Sequence, residues 1–319
     1  MSKLGKVSKT LSENFDEDLL LQEPMSVWKR TFKRLWSRRS GKIGLLLIGF
    51  IFLIAFTAPI IAPYDPQEVL IGKEIVKLKK REGPCIHMLG CDSAKPQHIM
   101  GIDGNYRDQF SRIIYGSRIS LSIGFSTVSF AVVGGVLLGA LAAFFGGWID
   151  NIIMRVMDVI LGFPSLLLAI AIVAVLGPGI RNALLAIAIV TLPAYARLTR
   201  ASVLTVKELD FVKASIALGA SPTRLLLFRI LPNSLTPVVV LATLGIATAI
   251  LDAAGLSFLG LGAQPPMPEW GTMLGSERNQ VFSAPHLVFF PGIAIMITVL
   301  AFNLFGDGLR DALDPRLND

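Results

Sequence analysis

The chain has 319 residues, 53% hydrophobic and 17% charged, with a formal net charge of +7. Soluble domains carry nearer a quarter charged residues, so this balance, with a mean hydropathy of +0.62, excludes a water-soluble globule and indicates an integral membrane protein. Apolar runs of roughly 20 residues, rather than alternating runs of roughly 10, exclude a β-barrel and predict an all-α polytopic protein.

Residues 1–42 read as a cytoplasmic tail. Residues 1–24 mix acidic and basic side chains and are expected to be poorly ordered. From Ser26 to Lys42, Val27, Phe32, Leu35 and Trp36 sit among Lys29, Arg30, Lys33, Arg34, Arg38 and Arg39. That pattern is an amphipathic basic helix lying in the headgroups, and its charge reads as membrane anchoring rather than nucleic-acid binding. No cleavable signal is evident, because the first apolar run begins at Ile43 and is long enough to stay.

Six spans are predicted. The first covers residues 43–62, Ile43–Ala62, and an extracytoplasmic loop, 63–116, follows. A core of 117–308 holds the second span (Ile119–Phe145), the third (Ile152–Leu176, containing Asp158 and Pro164) and the fourth (Ile180–Thr199, interrupted by Pro193). The fifth (Val238–Leu261) and sixth (Leu287–Phe305) complete it, and 309–319 form a second cytoplasmic tail. Gly134, Gly135 and Gly139 suit close helix packing. Most of the 30 Lys and Arg residues fall on one side if both termini are cytoplasmic, and most of the rest lie in the long loop that the positive-inside rule discounts.

The loop holds both cysteines. Outside a cell, a disulfide between Cys85 and Cys91 is chemically reasonable. Free thiols, or a metal site with His87 and His98, stay open as alternatives, although the spacing matches no standard zinc finger. Of the charges within spans, Asp158 lies one turn after Arg155 and reads as its ion-pair partner at the headgroups, with a gate as the alternative. Arg197 and Arg200 read as snorkelling to phosphates. Asp252 either lines a pathway or caps a helix break before Gly255. There is no GxxxxGK[ST] run, no acidic metal cluster and no nucleophile arrangement around His87, His98 and His286. The chain therefore predicts no catalytic, cofactor-binding or metal residues of its own.

The most patterned stretch is Asp210–Asn233, within a polar segment of 201–232 between two apolar runs. Ala214, Ser215 and Ala217 are small and helix-compatible. Gly219 can end a helix by taking φ > 0, and Pro222 suits the first turn of the next. Leu225, Leu226 and Ile230 then recur at helical spacing until Pro232 interrupts them. A short helix with a small-residue face, held at a fixed angle to the bilayer, is a shape another protein can grip.

The same stretch resembles the coupling loop of ABC-importer permeases, with Lys213-Ala214-Ser215, Gly219 and Ile230-Leu231-Pro232-Asn233 at the signature positions. It departs where Lys213 replaces an acidic residue and Ser215 replaces Ala. Further stretches resemble the dipeptide/oligopeptide/nickel branch: Ala62-Pro63-Tyr64-Asp65-Pro66, Met100–Asp108 with Ser111–Gly116, Leu256–Gly262 with Gln264–Gly271, and Asn303–Asp311 with Asp314–Leu317. In that family Thr and Gly usually stand at Ile102 and Tyr106, and an acidic residue at Ala253, here preceded by Asp252.

The resemblance implies the type I ABC-importer permease fold, with both termini cytoplasmic in the cell membrane. It also implies the second of two homologous permease subunits, forming one path for peptides or a similar small solute such as nickel complexes, glycosides or opines. Two cytoplasmic ATPase subunits, which would hold ATP and Mg, and an extracytoplasmic binding protein are the implied partners. The residues it assigns to ATPase coupling are Asp210, Phe211, Lys213, Ala214, Ser215, Leu218, Gly219, Ala220, Ser221, Pro222, Leu231 and Pro232. The alternative is a secondary transporter driven by ion gradients, which predicts broken helices with midplane ionisable residues; apart from Asp252 the spans offer few.

Overall fold

In lipid a chain must satisfy its backbone N–H and C=O groups internally, and an apolar run does so as a helix. In the computed structural model, which describes residues 27–74 and 78–313, this is the rule throughout. The expectations for residues 1–24 and for the end of the second tail lie outside the described residues. Among the described residues no strand forms; Cys85 with His98 and Ile102 with Asp108 make only isolated bridges.

The basic helix α1 (Val27–Ser37) leads into α2 (Arg39–Ile61), and after a long loop comes α3 (Gln109–Phe145). Then follow α4 (Gly147–Leu161), α5 (Ser165–Leu176) and α6 (Ile180–Lys207). The polar segment holds α7 (Asp210–Ala217), α8 (Pro222–Leu225) and α9 (Leu231–Ser234), and the chain closes with α10 (Thr236–Phe258), α11 (Trp270–Glu277) and α12 (His286–Leu313). Five of these, α2, α3, α6, α10 and α12, are long and apolar enough to cross a membrane, and α4 with α5 supplies a sixth only if the bent pair counts as one.

Two predicted prolines behave in opposite ways. The third span is not one helix: α4 and α5 meet at 93°, across Gly162, Phe163 and Pro164. Pro164 lacks an N–H and disfavours the helical conformation at Phe163, so the helix stops there. Neither piece spans alone, since the 12 residues of α5 reach only about 18 Å against roughly 30 Å of hydrocarbon. Pro193, by contrast, does not interrupt the fourth span. It is buried inside α6, which continues through it for 28 residues.

Helix α6 packs closely on α3 along this stretch. A Cβ on Gly135 would stand 2.5 Å from Tyr195 Cβ, and one on Gly139 would stand 2.3 Å from the Ala196 carbonyl oxygen. Only glycine lets the two backbones touch along this seam. The same device joins α2 to α12, where a Cβ on Gly44 would meet the Phe305 backbone nitrogen at 2.4 Å. One core of Ile51, Leu121, Val128, Tyr195, Ile246, Ile250 and Phe302 ties α2, α3, α6, α10 and α12 together. Helix α1 docks Leu35 beside Gly41 and Gly308 and leaves Phe32 and Trp36 exposed, stacked 6.3 Å apart.

Candidate functional site

The polar segment packs onto the C-terminal end of α3. Val212 of α7 is fully buried among Ala140 and Ala143 of α3, Val203 and Val206 of α6, and Leu225, Leu226 and Ile230 beyond the turn. That anchor fixes α7 while its other faces stay uncovered. Phe211, Ile216 and Leu218 are exposed, the last at 88%, and Lys213, Ala214 and Ala217 beside them are exposed too. Ser215 turns its hydroxyl back to the Phe211 carbonyl at 2.7 Å, so it does not offer that donor outward.

The bend has an identifiable cause. Gly219 sits at φ +80°, its N–H donates to the Ile216 carbonyl and the Ala220 N–H to the Ser215 carbonyl. These are the two bonds of a Schellman ending, which requires the left-handed conformation at that one residue. A Cβ there would meet nothing within 4 Å, so backbone angle rather than space selects glycine. Ser221 and exposed Pro222 start α8 at its first turn. Pro232 does not interrupt the second helix. A π-turn over Leu226–Ile230, in which the Leu231 N–H reaches back to the Leu226 carbonyl, precedes it, and α9 continues past Pro232. The wider turn absorbs the proline, as π-bulges do.

At the other end of α3, roughly 54 Å away at 1.5 Å per residue, residues 62–74 and 78–108 form a tightly bonded module. Asp108 caps α3, accepting from the Ser111 N–H and hydroxyl at 2.7 Å each. His98, 3% exposed, donates Nδ1 to Asp108 at 2.8 Å and meets Glu74 through Nε2 at 3.2 Å. Tyr64 donates its hydroxyl to Glu74 at 3.0 Å and stacks on the His98 ring. Burial disfavours protonation of His98, but Asp108 and Glu74 outweigh it and hold the pKa above its usual value. Burial, with Glu74 beside it, pushes Tyr64 up to about 12. At Glu82, burial raises the carboxyl, while the Lys79 N–H and the Lys95 ammonium outweigh it and leave it below the usual range.

The module is also riveted to later helices. Glu277 takes Arg81 Nε at 2.8 Å and the Gly104 N–H at 3.0 Å. Arg112 reaches the Pro66 and Pro266 carbonyls at 2.8 and 3.2 Å, and Trp270 donates to the Ile113 carbonyl at 3.0 Å. The sulfurs of Cys85 and Cys91 are bonded to each other, while His87 bonds the Lys95 carbonyl and His98 bonds Asp108. The four groups of the metal alternative are thus engaged elsewhere.

Two readings of charged residues are corrected by the packing of α4 against α6. Asp158 pairs with Arg197, not with Arg155, and Arg200 is bound to Asp150 through Nη2 at 2.6 Å instead of snorkelling. Sequence spacing finds partners one turn apart; these lie on different helices, α4 and α6. Asp252 does not cap a break, because α10 runs unbroken past Gly255 to Phe258. It is half-buried in a groove of about 770 Å³ between α5, α10, α11 and α12. Helix α11, with buried Glu269 capping the Gly271 and Thr272 N–H groups, had no periodic signal: its eight residues are too few.

The bent segment stays exposed while Val212 packs it onto α3 and α6. A family profile described as binding-protein-dependent transport system inner membrane component matches residues 135–319. A second, the N-terminal TM domain of oligopeptide transport permease C, matches residues 26–77. The chain is 46% identical over 293 residues to the dipeptide transport system permease protein DppC of Alkalihalophilus pseudofirmus, covering 92% of this chain and 91% of that one. It is 47% identical to the di/tripeptide transport system permease protein DppC of Pseudomonas aeruginosa, over 93% of this chain and 96% of that one. With the glutathione transport system permease protein GsiD of Pectobacterium atrosepticum it shares 44%, over 91% and 90%. An inward-facing structure of the MetNI methionine ABC transporter matches with a TM-score of 0.53 at 19% identity, covering 64% of this chain and 97% of that one.

Proposed function

The chain belongs to the family of binding-protein-dependent transport system inner membrane components, and from that premise we propose that this ABC permease subunit imports di- or oligopeptides. The relatives that carry dipeptides, di/tripeptides and glutathione support a short-peptide substrate. In this reading the chain pairs with a homologous permease, two cytoplasmic ATPase subunits bind and hydrolyse ATP with Mg, and an extracytoplasmic binding protein delivers the peptide. Both termini and α7 face the cytoplasm, and the module of residues 62–74 and 78–108 faces out. Its bonded cysteines suit an oxidising exterior.

One observation carries the coupling role: α7 is fixed to the bundle through Val212 yet exposes Phe211, Ile216 and Leu218 to whatever covers it. A motor protein seated there moves α3 and α6, because a packed core transmits strain rather than absorbing it. Lys213, Ala214, Ser215 and Ala220 shape that seat, and Asp210, Leu231 and Pro232 set where the segment leaves and rejoins the bundle.

The test is Gly219→Val in the complete transporter reconstituted in vesicles. A β-branched residue at φ +80° costs about 1–2 kcal/mol and re-aims the bend. Peptide uptake is expected to fall at least about tenfold while ATP hydrolysis continues and the subunits still co-purify. Uptake at the unaltered rate, or uptake that stops when ion gradients are dissipated with ATP present, would overturn the reading.

A further inference from the structure

Charged residues inside a membrane span are costly, face the protein interior or a cavity, and pair where they can. Asp150 and Asp158 obey this by meeting Arg200 and Arg197. Asp252 does not: among the described residues it has neither a salt bridge nor a side-chain hydrogen bond. It stands within α10, about 9 Å from the end at Phe258 and about 24 Å from Thr236 at 1.5 Å per residue, so water at the bundle's ends does not solvate it freely.

Its surroundings say what would satisfy it. The groove wall is formed by Leu251, Phe258, Met296 and Val299, with Asn303 as the other polar side chain on its surface. Gly255 and Gly292 also line it, and a Cβ at either would meet nothing within 4 Å, so the backbone itself widens the space. At about 770 Å³ it lies within the range of clefts that enclose small molecules, about 300–1,000 Å³. An apolar trough holding one carboxylate, with no basic residue on its wall, fits a solute with one cationic end and an otherwise tolerant body.

We propose that Asp252 is the transient counter-ion for the protonated α-amino group of the peptide as it passes through this subunit. This rests on the peptide-import reading above. The carboxylate accepts hydrogen bonds from the ammonium, no proton is transferred, and the apolar wall leaves the side chains unread. Such a site favours passage of many sequences that share a free amino terminus.

The complete transporter in vesicles is assayed with a dipeptide that its binding protein delivers in both free and N-acetylated forms. For D252N, the maximal uptake rate of the free peptide is expected to drop about tenfold, equivalent to about 1.4 kcal/mol. The half-saturating concentration and the N-acetylated peptide's rate should hold, and D252E should recover most of the loss. An unchanged rate for the free peptide overturns the proposal and leaves peptide import standing. So does equal loss of both forms, or failure of D252N to co-purify with the second permease, which would place Asp252 in the subunit interface. If the unaltered transporter moves neither form, the peptide reading fails and takes this inference with it.

Discussion

The two ends of α3 are finished differently, one by a network of paired charges and the other by a segment that leaves an apolar face uncovered. At the N-terminal end, charged side chains are folded inward and answered: His98 by Asp108 and Glu74, Arg81 by Glu277, Arg107 by Asp103. At the C-terminal end, apolar side chains are turned outward and left unanswered, with Leu218 at 88% and Phe228 at 71% exposure. A buried charge network that is fully paired resists displacement, because each lost partner strands a group in low dielectric. An exposed apolar face anchored at Val212 is what a docking surface looks like before its partner arrives. One end is closed by paired charges, and the other leaves an apolar face uncovered.

The contrast can be broken hardest at Arg112, whose side chain is 4% exposed. Replacing it with Ala removes the bonds to the Pro66 and Pro266 carbonyls and its buried charge contact with Asp103 and should cost about 3–5 kcal/mol, read as a lowered melting temperature of the purified subunit. A drop no larger than that of a surface variant would mean the module is not the rigid end. Next in size is loss of the bond between Cys85 and Cys91, which closes a separation of six residues. Paired Ser replacements should cost about 2 kcal/mol by loop entropy, visible as faster hydrogen exchange over residues 85–98 with ATP-coupled uptake intact.

A pH dependence follows at His98. Its folded pKa lies above the ordinary 6.5, so its contribution to stability is fully present below about 6.5 and is lost as pH rises through the raised value. Protection factors at residues 98–112, taken after correcting for the intrinsic rise of amide exchange with pH, should fall over that interval, and His98→Gln should flatten that fall; protection that grows as pH rises has the wrong sign for this network. The smallest stability effect belongs to Lys213→Glu. Lys213 and Glu208 are exposed and 3.8 Å apart, so the melting temperature should reflect no more than about 0.5 kcal/mol. A clear change in the ATPase rate stimulated by the loaded binding protein, with no change in melting, would sharpen the division between a structural end and a docking end.

Much of the surface segment was legible before any coordinates. Gly219 and Pro222 mark a helix end and a helix start because φ > 0 and a missing N–H are local properties, and the structure puts them in those two places. The π-turn at Leu226–Ile230 was not legible, since Pro232 reads as an interruption until a neighbouring turn is seen to widen. Nor were the ion pairs Asp150–Arg200 and Asp158–Arg197, which join residues far apart in the chain, or Glu277, whose partners Arg81 and Gly104 lie far upstream.

What the sequence alone determined was the placing of five of the six predicted spans as apolar helices, because a bilayer of fixed thickness demands about 20 apolar residues per crossing whatever they pack against. It also determined the bend of the surface segment, which follows from backbone angles within a few residues. Tertiary structure alone decided which proline breaks its helix. Pro164 ends one where α5 turns away at 93°, while Pro193 stays within α6 along the α3 seam that Gly135 and Gly139 open. Both residues lack the same N–H; only the neighbouring helix determines whether that loss can be absorbed.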